Sequence, residues 1–385
     1  CWRLRWRCLS VPRQPQRAPG LKDYPACDEE VRRLAAGLWG FAGNQPSRRT
    51  DGKGKIIVGE TIEKALKDEK ILPDCAGPCE YNHRRTDAMD VYFVAGTGEA
   101  EYAFRVQGKE PELWDPVTGT IRDAVCYRTT DDGRTIVPIR LPEHGSVFVV
   151  FRRPAQAKHL VEVSGPESGL QIVGRTEAGA CVRLWQDGKY VLRTSPEEAV
   201  SLGGTPIPAP LPIAGPWTVC FAPGWGAPAS IVFDELLSWD KHPNDAIKHF
   251  SGKATYRKTF TLGAEQAKGL VRLQLAEVKY VAQVRVNRKD MGVVWTSPWT
   301  VDLTGAVKTG ENELEIDVVN LWVNRLIGDA GLPENQRRTK TNIYLQKGER
   351  TLKPYQGYSS KDPLVASGLL GPVRLEFGRQ QEVKF

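Results

Sequence analysis

From about residue 81 onwards, apolar and polar residues alternate in short runs separated by glycine, proline, asparagine and aspartate. A period of two is typical of β-strands that bury one face, whereas apolar residues in a helix recur every three to four positions. The clearest runs are 90–94, 102–106, 134–139, 146–151, 254–260, 271–275, 282–287, 314–318 and 373–377. The chain is therefore predicted to be mainly β.

The spacing of these runs divides the 385 residues into blocks. We expect a small antiparallel β-domain and, because the later strands are regularly spaced, a C-terminal jelly-roll β-sandwich. A truncated α/β segment precedes both, and a Pro/Gly-rich connecting layer separates them. The expected boundaries are a ragged N-terminal edge at 1–20, the α/β remnant at 21–80, the small β-domain at 81–153, the connecting layer at 154–215 and the jelly roll at 216–385.

The α/β block contains two predicted helices and one strand. Each helix begins at a residue whose side chain can accept a hydrogen bond from the first turn, Asp28 and Thr61, and residues 55–58 form the strand between them. The apolar residues expected to face inward are Val31, Leu34, Ala35 and Leu38 in the first helix and Ile62, Ala65 and Leu66 in the second. One strand and two helices cannot enclose a core. We therefore interpret the block as the end of a larger domain, whose uncovered apolar surface predicts poor solubility for the chain alone.

Charge and motif content argue against several classes of protein. The net charge of +7 does not indicate nucleic-acid binding, because much of it comes from arginines that precede the first acidic residue, Asp23. No apolar run reaches the ~18–20 residues that a membrane-spanning helix needs, so no membrane partner is expected. Cys75 and Cys79 lack a second zinc-type pair, and no two histidines have metal-binding helical spacing. We expect no cofactor and no metal site.

The stretch 318–329 begins as an apolar strand and continues into amide, indole and guanidinium side chains. Proteins bind sugars with an aromatic platform beside planar polar groups, since a pyranose has apolar C–H faces and a rim of hydroxyls. Three clusters of this composition supply the candidates for carbohydrate contact or domain docking: Trp239 with His242, Trp295 with Trp299, and Asn320 with Trp322, Asn324 and Arg325. We expect their polar groups to point away from the core.

Two sets of motifs occur in order along the chain and resemble known families. The galactose-binding-like jelly roll of family 2 glycosidases is resembled by 251–257, 286–292, 301–304, 310–314 and 367–373. The C-terminal half of α-L-rhamnosidases of glycoside hydrolase family 106 is resembled by 112–119, 223–228 and 320–329. In the first set, 287–292 is interpreted as a hairpin turn.

The resemblance carries further expectations. It implies that the family's catalytic (β/α)8 barrel lies upstream and is absent from this chain, so the partners are carbohydrate and the missing N-terminal catalytic domain of the same protein. It also implies a parent enzyme that hydrolyses terminal α-L-rhamnosyl linkages. The location of the chain stays open, with export of the parent protein as the expectation. A structural Ca²⁺ rests on fold analogy only.

The acidic residues indicate no catalytic site in this chain. Glycoside hydrolysis needs two carboxylates that flank the scissile bond. The candidates lie singly in turns or at strand ends and are interpreted as turn caps or surface charges: Glu112, Asp115, Asp234, Asp302 and Asp329. We predict an accessory, non-catalytic part of a glycoside hydrolase. Two alternatives stay open, a freestanding carbohydrate-binding or scaffolding β-protein and a part of a family 2-type β-glycosidase.

Overall fold

The structure is a computed structural model that describes residues 8–11, 15–39, 47–51, 54–196, 198–204, 206–339 and 357–385. The chain forms two compact units, which divide between residues 75 and 76. The predicted mainly β fold is confirmed, because antiparallel sheets account for most of the second unit.

The first unit is a small α/β structure. Its elements are β1 (Cys8–Val11), α1 (Ala26–Trp39), β2 (Ser47–Asp51), β3 (Gly54–Val58) and α2 (Ile62–Asp68). The central strand β3 has β1 parallel on one side and β2 antiparallel on the other. Both predicted helices are confirmed, but sequence reasoning identified only β3 among these three strands. Strand β1 is short, and β2 is rich in charged residues, so neither has the apolar pattern of a buried strand.

The helix starts show where the local predictions succeed and fail. The Thr61 hydroxyl accepts a hydrogen bond from the backbone N–H of Lys64 at 3.2 Å, which confirms the predicted cap of α2. Asp28 lies inside the first turn of α1 and accepts a hydrogen bond from the backbone N–H of Ala18, so its expected capping role is wrong. Ile62 is 58% exposed, which contradicts its expected inward orientation. The side chain of Leu38 lies outside the described residues.

The second unit begins with a sheet built around two long strands. The strands of this region are β4 (Cys75–Ala76), β5 (Glu80–Arg85), β6 (Asp90–Phe104), β7 (Lys109–Trp114), β8 (Ile121–Asp123), β9 (Arg128–Thr129) and β10 (Thr135–Pro154). Strands β6 and β10 pair along almost their whole length, with an irregularity between Leu141 and Gly145. On the other side of β10 the order continues through β7 to β8. Tyr92, Phe104 and Phe151 pack edge-on or tilted against one another in its core.

The next stretch supplies strands to two further sheets. They are β11 (His159–Ser164), β12 (Leu170–Arg175), β13 (Gly179–Leu184), β14 (Tyr190–Ser195), β15 (Ala199–Leu202) and β16 (Leu211–Pro212). Strands β11, β14 and β15 form a three-stranded sheet. Strands β12 and β13 belong to a sheet that is completed from the end of the chain.

The remaining elements form a sandwich. They are β17 (Trp217–Phe221), β18 (Ser230–Phe233), α3 (Asp245–Lys248), β19 (Lys253–Leu262), α4 (Ala264–Lys268), β20 (Leu270–Gln274), β21 (Val278–Lys279), β22 (Val281–Val286), β23 (Lys289–Val294), β24 (Thr300–Asp302), β25 (Gly310–Val319), α5 (Val323–Ala330), β26 (Gly368–Leu369) and β27 (Arg374–Lys384). One sheet has the order β18-β17-β19-β25-β22-β23, and the other has the order β12-β13-β27-β20-β24. Strand β27 joins two regions, since its first half pairs with β20 and its second half pairs with β13.

The core of the sandwich lies between these sheets. Alternate residues of β19, β22 and β25 point into it, as the period of two predicts, and Ala254, Val284 and Ile316 are fully buried. Two tryptophans, Trp217 and Trp239, are among the largest side chains inside. Each apolar side chain buried in this way contributes about 1.5–3 kcal/mol. The opposite side of the same strands is therefore the face on which contacts outside the core can form.

Candidate functional site

The outer face of the six-stranded sheet carries an exposed group of apolar side chains. Val281 of β22 pairs directly with Val319 of β25, and the two are 37% and 41% exposed. In the next strand, β23, Val293 precedes the inward-facing Val294 and is 53% exposed, and Trp295, which directly follows the strand, is 56% exposed. Leu321 and Trp322 follow Val319 along the chain and are also exposed. We call Val281, Val293, Trp295, Val319, Leu321 and Trp322 the apolar patch.

Strands β19, β22 and β25 of the same sheet carry a network of charges. Arg285 contacts Glu315 and, at 3.0 Å, Asp317, while Lys253 contacts Asp317 at 3.1 Å. The Thr255 hydroxyl donates to Asp317 at 2.6 Å. Burial by itself raises the pKa of Asp317, but the hydrogen bonds from Thr255, Arg285 and Lys253 outweigh it and hold that pKa below its ordinary value. These ion pairs fix the polar part of the outer face.

Trp322 also meets a second indole. The rings of Trp225 and Trp322 lie edge-to-face with their centroids 5.0 Å apart. Trp225 comes from the motif 223–228, whose backbone is held by Arg338, because that guanidinium donates to the Gly224 carbonyl at 2.7 Å. Gly226 has a positive φ of 95°, and a Cβ there would lie 3.0 Å from the Arg338 side chain. The motif therefore places a second aromatic ring next to the apolar patch.

The polar candidates in this stretch point inward, which corrects the prediction for them. Asn320 is buried, accepts from the Gly252 N–H at 2.9 Å and donates to the Phe250 carbonyl at 2.9 Å. Asn324 is fully buried, and its amide bonds the Val365 backbone in both directions at 2.8 Å. Both side chains bind backbone groups of this unit, so neither is available to a sugar or to another domain.

Arg325 is a further correction of the same kind. Residues 323–330 form helix α5 instead of a strand end, and this places Arg325 and Asp329 one turn apart on its buried side, 2.8 Å from each other. The second oxygen of Asp329 accepts hydrogen bonds from the backbone N–H groups of Arg338 and Thr339 at 2.9 and 2.7 Å. The guanidinium of Arg325 therefore neutralises a carboxylate that anchors a loop, and it does not face outward.

The remaining aromatic candidates separate into buried and exposed. Trp239 is fully buried, and His242 is 8% exposed and stacked on Phe233 with ring centroids 5.0 Å apart. Burial lowers the pKa of His242, and the nearby Lys248 lowers it further. Trp299 is partly buried against the sandwich core. Among the eight candidates, Trp295 and Trp322 are thus the large exposed side chains, and the expected outward contact is wrong for Trp239 and His242.

The carboxylates that the sequence singled out have different environments. Asp115 and Asp302 each accept a hydrogen bond from the backbone N–H two residues later, at 2.8 and 2.9 Å, so they are turn caps as expected. Glu112 is 1% exposed on strand β7. It is therefore neither a turn cap nor a surface charge, and that interpretation is wrong for Glu112, as it is for the buried Asp329.

Glu112 belongs to a cluster of charges that sequence reasoning missed. It accepts hydrogen bonds from the Trp114 indole at 2.8 Å and from Arg152 at 3.1 Å, and it is 2.9 Å from Arg153. Arg153 also contacts Glu110 at 3.1 Å, and burial raises the pKa of Glu110. A Glu-x-Glu pair in one strand and an Arg-Arg pair in another are the sequence signal for this cluster. It can be interpreted only once β7 and β10 are known to pair.

Across the described ranges, no three His, Cys, Asp or Glu side chains come together as possible metal ligands. Within those same ranges, no helix has both the length and the apolar character that crossing a membrane requires.

Comparisons with known proteins agree with the fold. Residues 9–129 match the family model described as alpha-L-rhamnosidase, and residues 236–346 match the glycosyl hydrolase 2 galactose-binding domain-like model. The rhamnosidase from Novosphingobium sp. PP1Y is 31% identical over 97% of this chain and 31% of its own, with a TM-score of 0.63. A Formosa agariphila protein named provisionally as a beta-glucuronidase is 25% identical over 94% of this chain and 48% of its own.

This chain spans less than half the length of either relative. The motif at 112–119 lies within the first matched segment, and those at 251–257, 286–292, 301–304 and 310–314 lie within the second. The resemblance is thereby confirmed: the chain resembles the glycoside hydrolases of family 106, the alpha-L-rhamnosidases, over residues 9–129, and a family 2-type galactose-binding-like domain over residues 236–346.

Proposed function

We propose that this chain is the accessory, non-catalytic part of a longer glycoside hydrolase that acts on α-L-rhamnosides. Its role is to dock on the catalytic part of that protein through the apolar patch. The observation that carries the proposal is the composition of the outer face, where Trp295 and Trp322 are more than half exposed while Asn320 and Asn324 are turned inward. A sugar site needs polar partners beside the ring, whereas a protein interface has an apolar centre with aromatic side chains.

The charges of the described region support a non-catalytic role. The carboxylates of Glu112, Asp317 and Asp329 are each ion-paired with an arginine. A glycosidase instead needs one carboxylic acid that can give up a proton and one carboxylate that can attack or activate water, with room for the sugar between them. Carboxylates held ionised by arginine are poor proton donors.

A second candidate role, contact with carbohydrate, is favoured by one specific observation. Trp225 and Trp322 form an edge-to-face pair, and the exposed Arg338 guanidinium lies beside the glycine that follows Trp225. An exposed indole with a guanidinium nearby can stack on one face of a pyranose and bind its hydroxyls.

Activity measurements test the non-catalytic role. We expect the full-length protein to hydrolyse an aryl α-L-rhamnoside and residues 1–385 alone to be inactive on it. Hydrolysis by residues 1–385 would overturn the proposal. If the full-length protein does not hydrolyse the α-L-rhamnoside but does hydrolyse an aryl β-glycoside, the alternative of a family 2-type β-glycosidase would be supported.

Hydrogen exchange separates docking from sugar contact. Docking predicts that peptides from 278–295 and 316–323 exchange more slowly in the full-length protein than in residues 1–385 alone, with no added sugar. Sugar contact predicts slower exchange in both proteins only when rhamnose is added. Peptides from β13 and β14, which are not part of the apolar patch, provide the internal control. Equal exchange of the patch in the two proteins would exclude docking.

A further inference from the structure

The charge cluster around Glu112 borders a cavity of about 310 Å³. Its walls come from β7, β8 and β10 on one side and from β12 and β13 on the other. We call it the arginine cavity, and the lining residues that matter here are Glu112, Arg122, Asp123, Arg152, Arg153 and Arg175. The volume is at the lower end of the range of small-molecule sites, which suits one sugar unit.

The carboxylates of the cavity are already neutralised. Arg153 contacts Glu112 at 2.9 Å and Glu110 at 3.1 Å, and it also contacts Asp123. Arg152 adds a second guanidinium on Glu112 at 3.1 Å. The acidic groups therefore do not leave the cavity negative. Glu112 is buried, and its oxygens already accept hydrogen bonds from Trp114, Arg152 and Arg153. The partly exposed Asp123 carboxylate can still accept hydrogen bonds from hydroxyl groups.

Two guanidiniums are left with unused donors. Arg122 donates to the Ile172 carbonyl at 3.2 Å, and none of the carboxylates that the structure describes lies within ion-pair distance of it. Arg175 donates to the Lys158 carbonyl at 3.0 Å and contacts Glu110 at 3.5 Å, but its buried Nε has no hydrogen-bond partner among the described residues. An unpaired donor of this kind costs about 1–3 kcal/mol, more if charged, so an anion that binds both arginines would recover free energy.

We propose that the arginine cavity binds a carboxylate-bearing monosaccharide, a hexuronate. Its carboxylate would pair with Arg122 and Arg175, and its hydroxyls would donate to Asp123. The apolar side chain of Ile121, which is 56% exposed at the rim, offers a surface for the C–H groups of the ring. A simple inorganic anion would bind the arginines, but it would use neither the carboxylate that accepts hydrogen bonds from hydroxyl groups nor the apolar rim. This inference does not depend on docking through the apolar patch, which lies in a different sheet.

Calorimetric titration of residues 1–385 at pH 7 tests the assignment, with D-glucuronate as the probe and D-glucose as its uncharged match. We expect glucuronate to bind at least tenfold more tightly than glucose. Arg122→Gln should weaken glucuronate binding at least tenfold. The control is Arg193→Gln, because Arg193 pairs with Glu162 on an exposed surface away from the cavity and its loss should leave binding unchanged. Thermal unfolding of each variant shows whether the fold is kept.

A second readout does not depend on a variant. Cys181 lines the arginine cavity, whereas Cys220 lies on β17 in the other sheet of the sandwich. Bound glucuronate should slow alkylation of Cys181 and leave Cys220 unaffected, as resolved by mass spectrometry. The proposal is overturned if glucuronate does not bind, if glucose binds equally well, or if inorganic sulfate binds at least as tightly and protects Cys181 as well as glucuronate does.

Discussion

The indole N–H of Trp239 donates a hydrogen bond of 2.6 Å to the hydroxyl of Tyr256 inside the sandwich core, where both side chains are fully buried. The same hydroxyl accepts from the backbone N–H of Leu369 at 3.2 Å. One oxygen thus joins the segment before α3, strand β19 and strand β26. Burial raises the pKa of Tyr256 well above its ordinary value, so the group stays a neutral phenol at pH 7 and below.

Removing this oxygen should destabilise the sandwich. Tyr256→Phe leaves the Trp239 and Leu369 N–H groups buried without an acceptor, and we expect a loss of about 2–4 kcal/mol in the free energy of unfolding, measured with urea. Tyr81→Phe is the matched control, since Tyr81 is 40% exposed and its replacement should cost less than about 0.5 kcal/mol. Equal stability of the two variants would contradict the role given to the Tyr256 hydroxyl.

The close approach of Gly368 to Trp239 gives a second prediction. Gly368 has φ of +97°, and a Cβ there would lie 2.5 Å from the Trp239 indole nitrogen. Gly368→Ala therefore combines backbone strain with a clash against a buried ring, for which we expect a loss of about 2–4 kcal/mol in the free energy of unfolding. Gly292→Ala isolates the backbone contribution, because Gly292 has φ of +99° and nothing within 4 Å of its Cβ position.

The control variant, Gly292→Ala, should reduce the free energy of unfolding by only about 1 kcal/mol. A cost for Gly368→Ala that does not exceed the cost for Gly292→Ala would show that the indole can move aside. The comparison therefore measures how rigidly the core holds Trp239.

Much of the sandwich could be predicted because its strands bury one face in the core and expose the other face to water. Residues 271–275 and 282–287 show the alternation that such strands need, and they form β20 and β22 almost as expected. Turns capped by an aspartate could be predicted equally well, as Asp115 shows. These features depend on local chemistry and on one apolar core, which a sequence reports directly.

The hairpin at 287–288 was harder to predict. Val286 pairs with Lys289, so the turn has two residues, Asn287 and Arg288, both with positive φ. The expected turn, extending to Gly292, was too long. Arginine is rare in that conformation, and the turn depends on Asn287, which donates to Asn312 at 2.8 Å and accepts from the Glu313 N–H at 3.1 Å. Those partners are distant in sequence, so the pattern alone does not reveal them.

The burial of the polar residues in the candidate site could not be predicted from the sequence. Asn320, Asn324 and Arg325 are polar, and polar residues are usually exposed, but here each binds groups inside the unit. Glu112 was misjudged for the same reason, because its arginine partners come from a neighbouring strand. Whether a polar group can be buried depends on whether the folded structure places a hydrogen-bonding or ion-pairing partner next to it. Sequence patterns of apolar residues carry no information about that.

A pair of variants in one segment separates structure from function. Asn324→Ala removes a fully buried amide that bonds Val365 and Ser367, and we expect it to cost about 2–4 kcal/mol in the free energy of unfolding. Trp322→Ala removes a side chain that is 52% exposed, so its cost should be below about 1.5 kcal/mol. In the full-length protein, Trp322→Ala should instead speed hydrogen exchange of the apolar patch. A large stability loss for Trp322→Ala in residues 1–385 would contradict its assignment to the docking face.

The charge network on the outer face predicts a pH dependence of stability. Since the pKa of Asp317 is held below its ordinary value of 3.8 in the folded state, its ion pairs stabilise the fold above that pH, and their contribution is lost as the pH falls through the lowered pKa. At pH 7, Asp317→Asn should therefore reduce the free energy of unfolding by about 1.5–3 kcal/mol. The difference from the wild type should shrink as urea unfolding is repeated at pH values that fall from 3.8 through the lowered pKa, because Asp317 is protonated first in the unfolded chain and then in the folded protein. Glu311→Gln, on an exposed site of the same strand, should have little effect at either pH. A difference between Asp317→Asn and the wild type that stays constant down to pH 2 would show that the amide disturbs packing, and that the charge of Asp317 does not hold β19, β22 and β25 together.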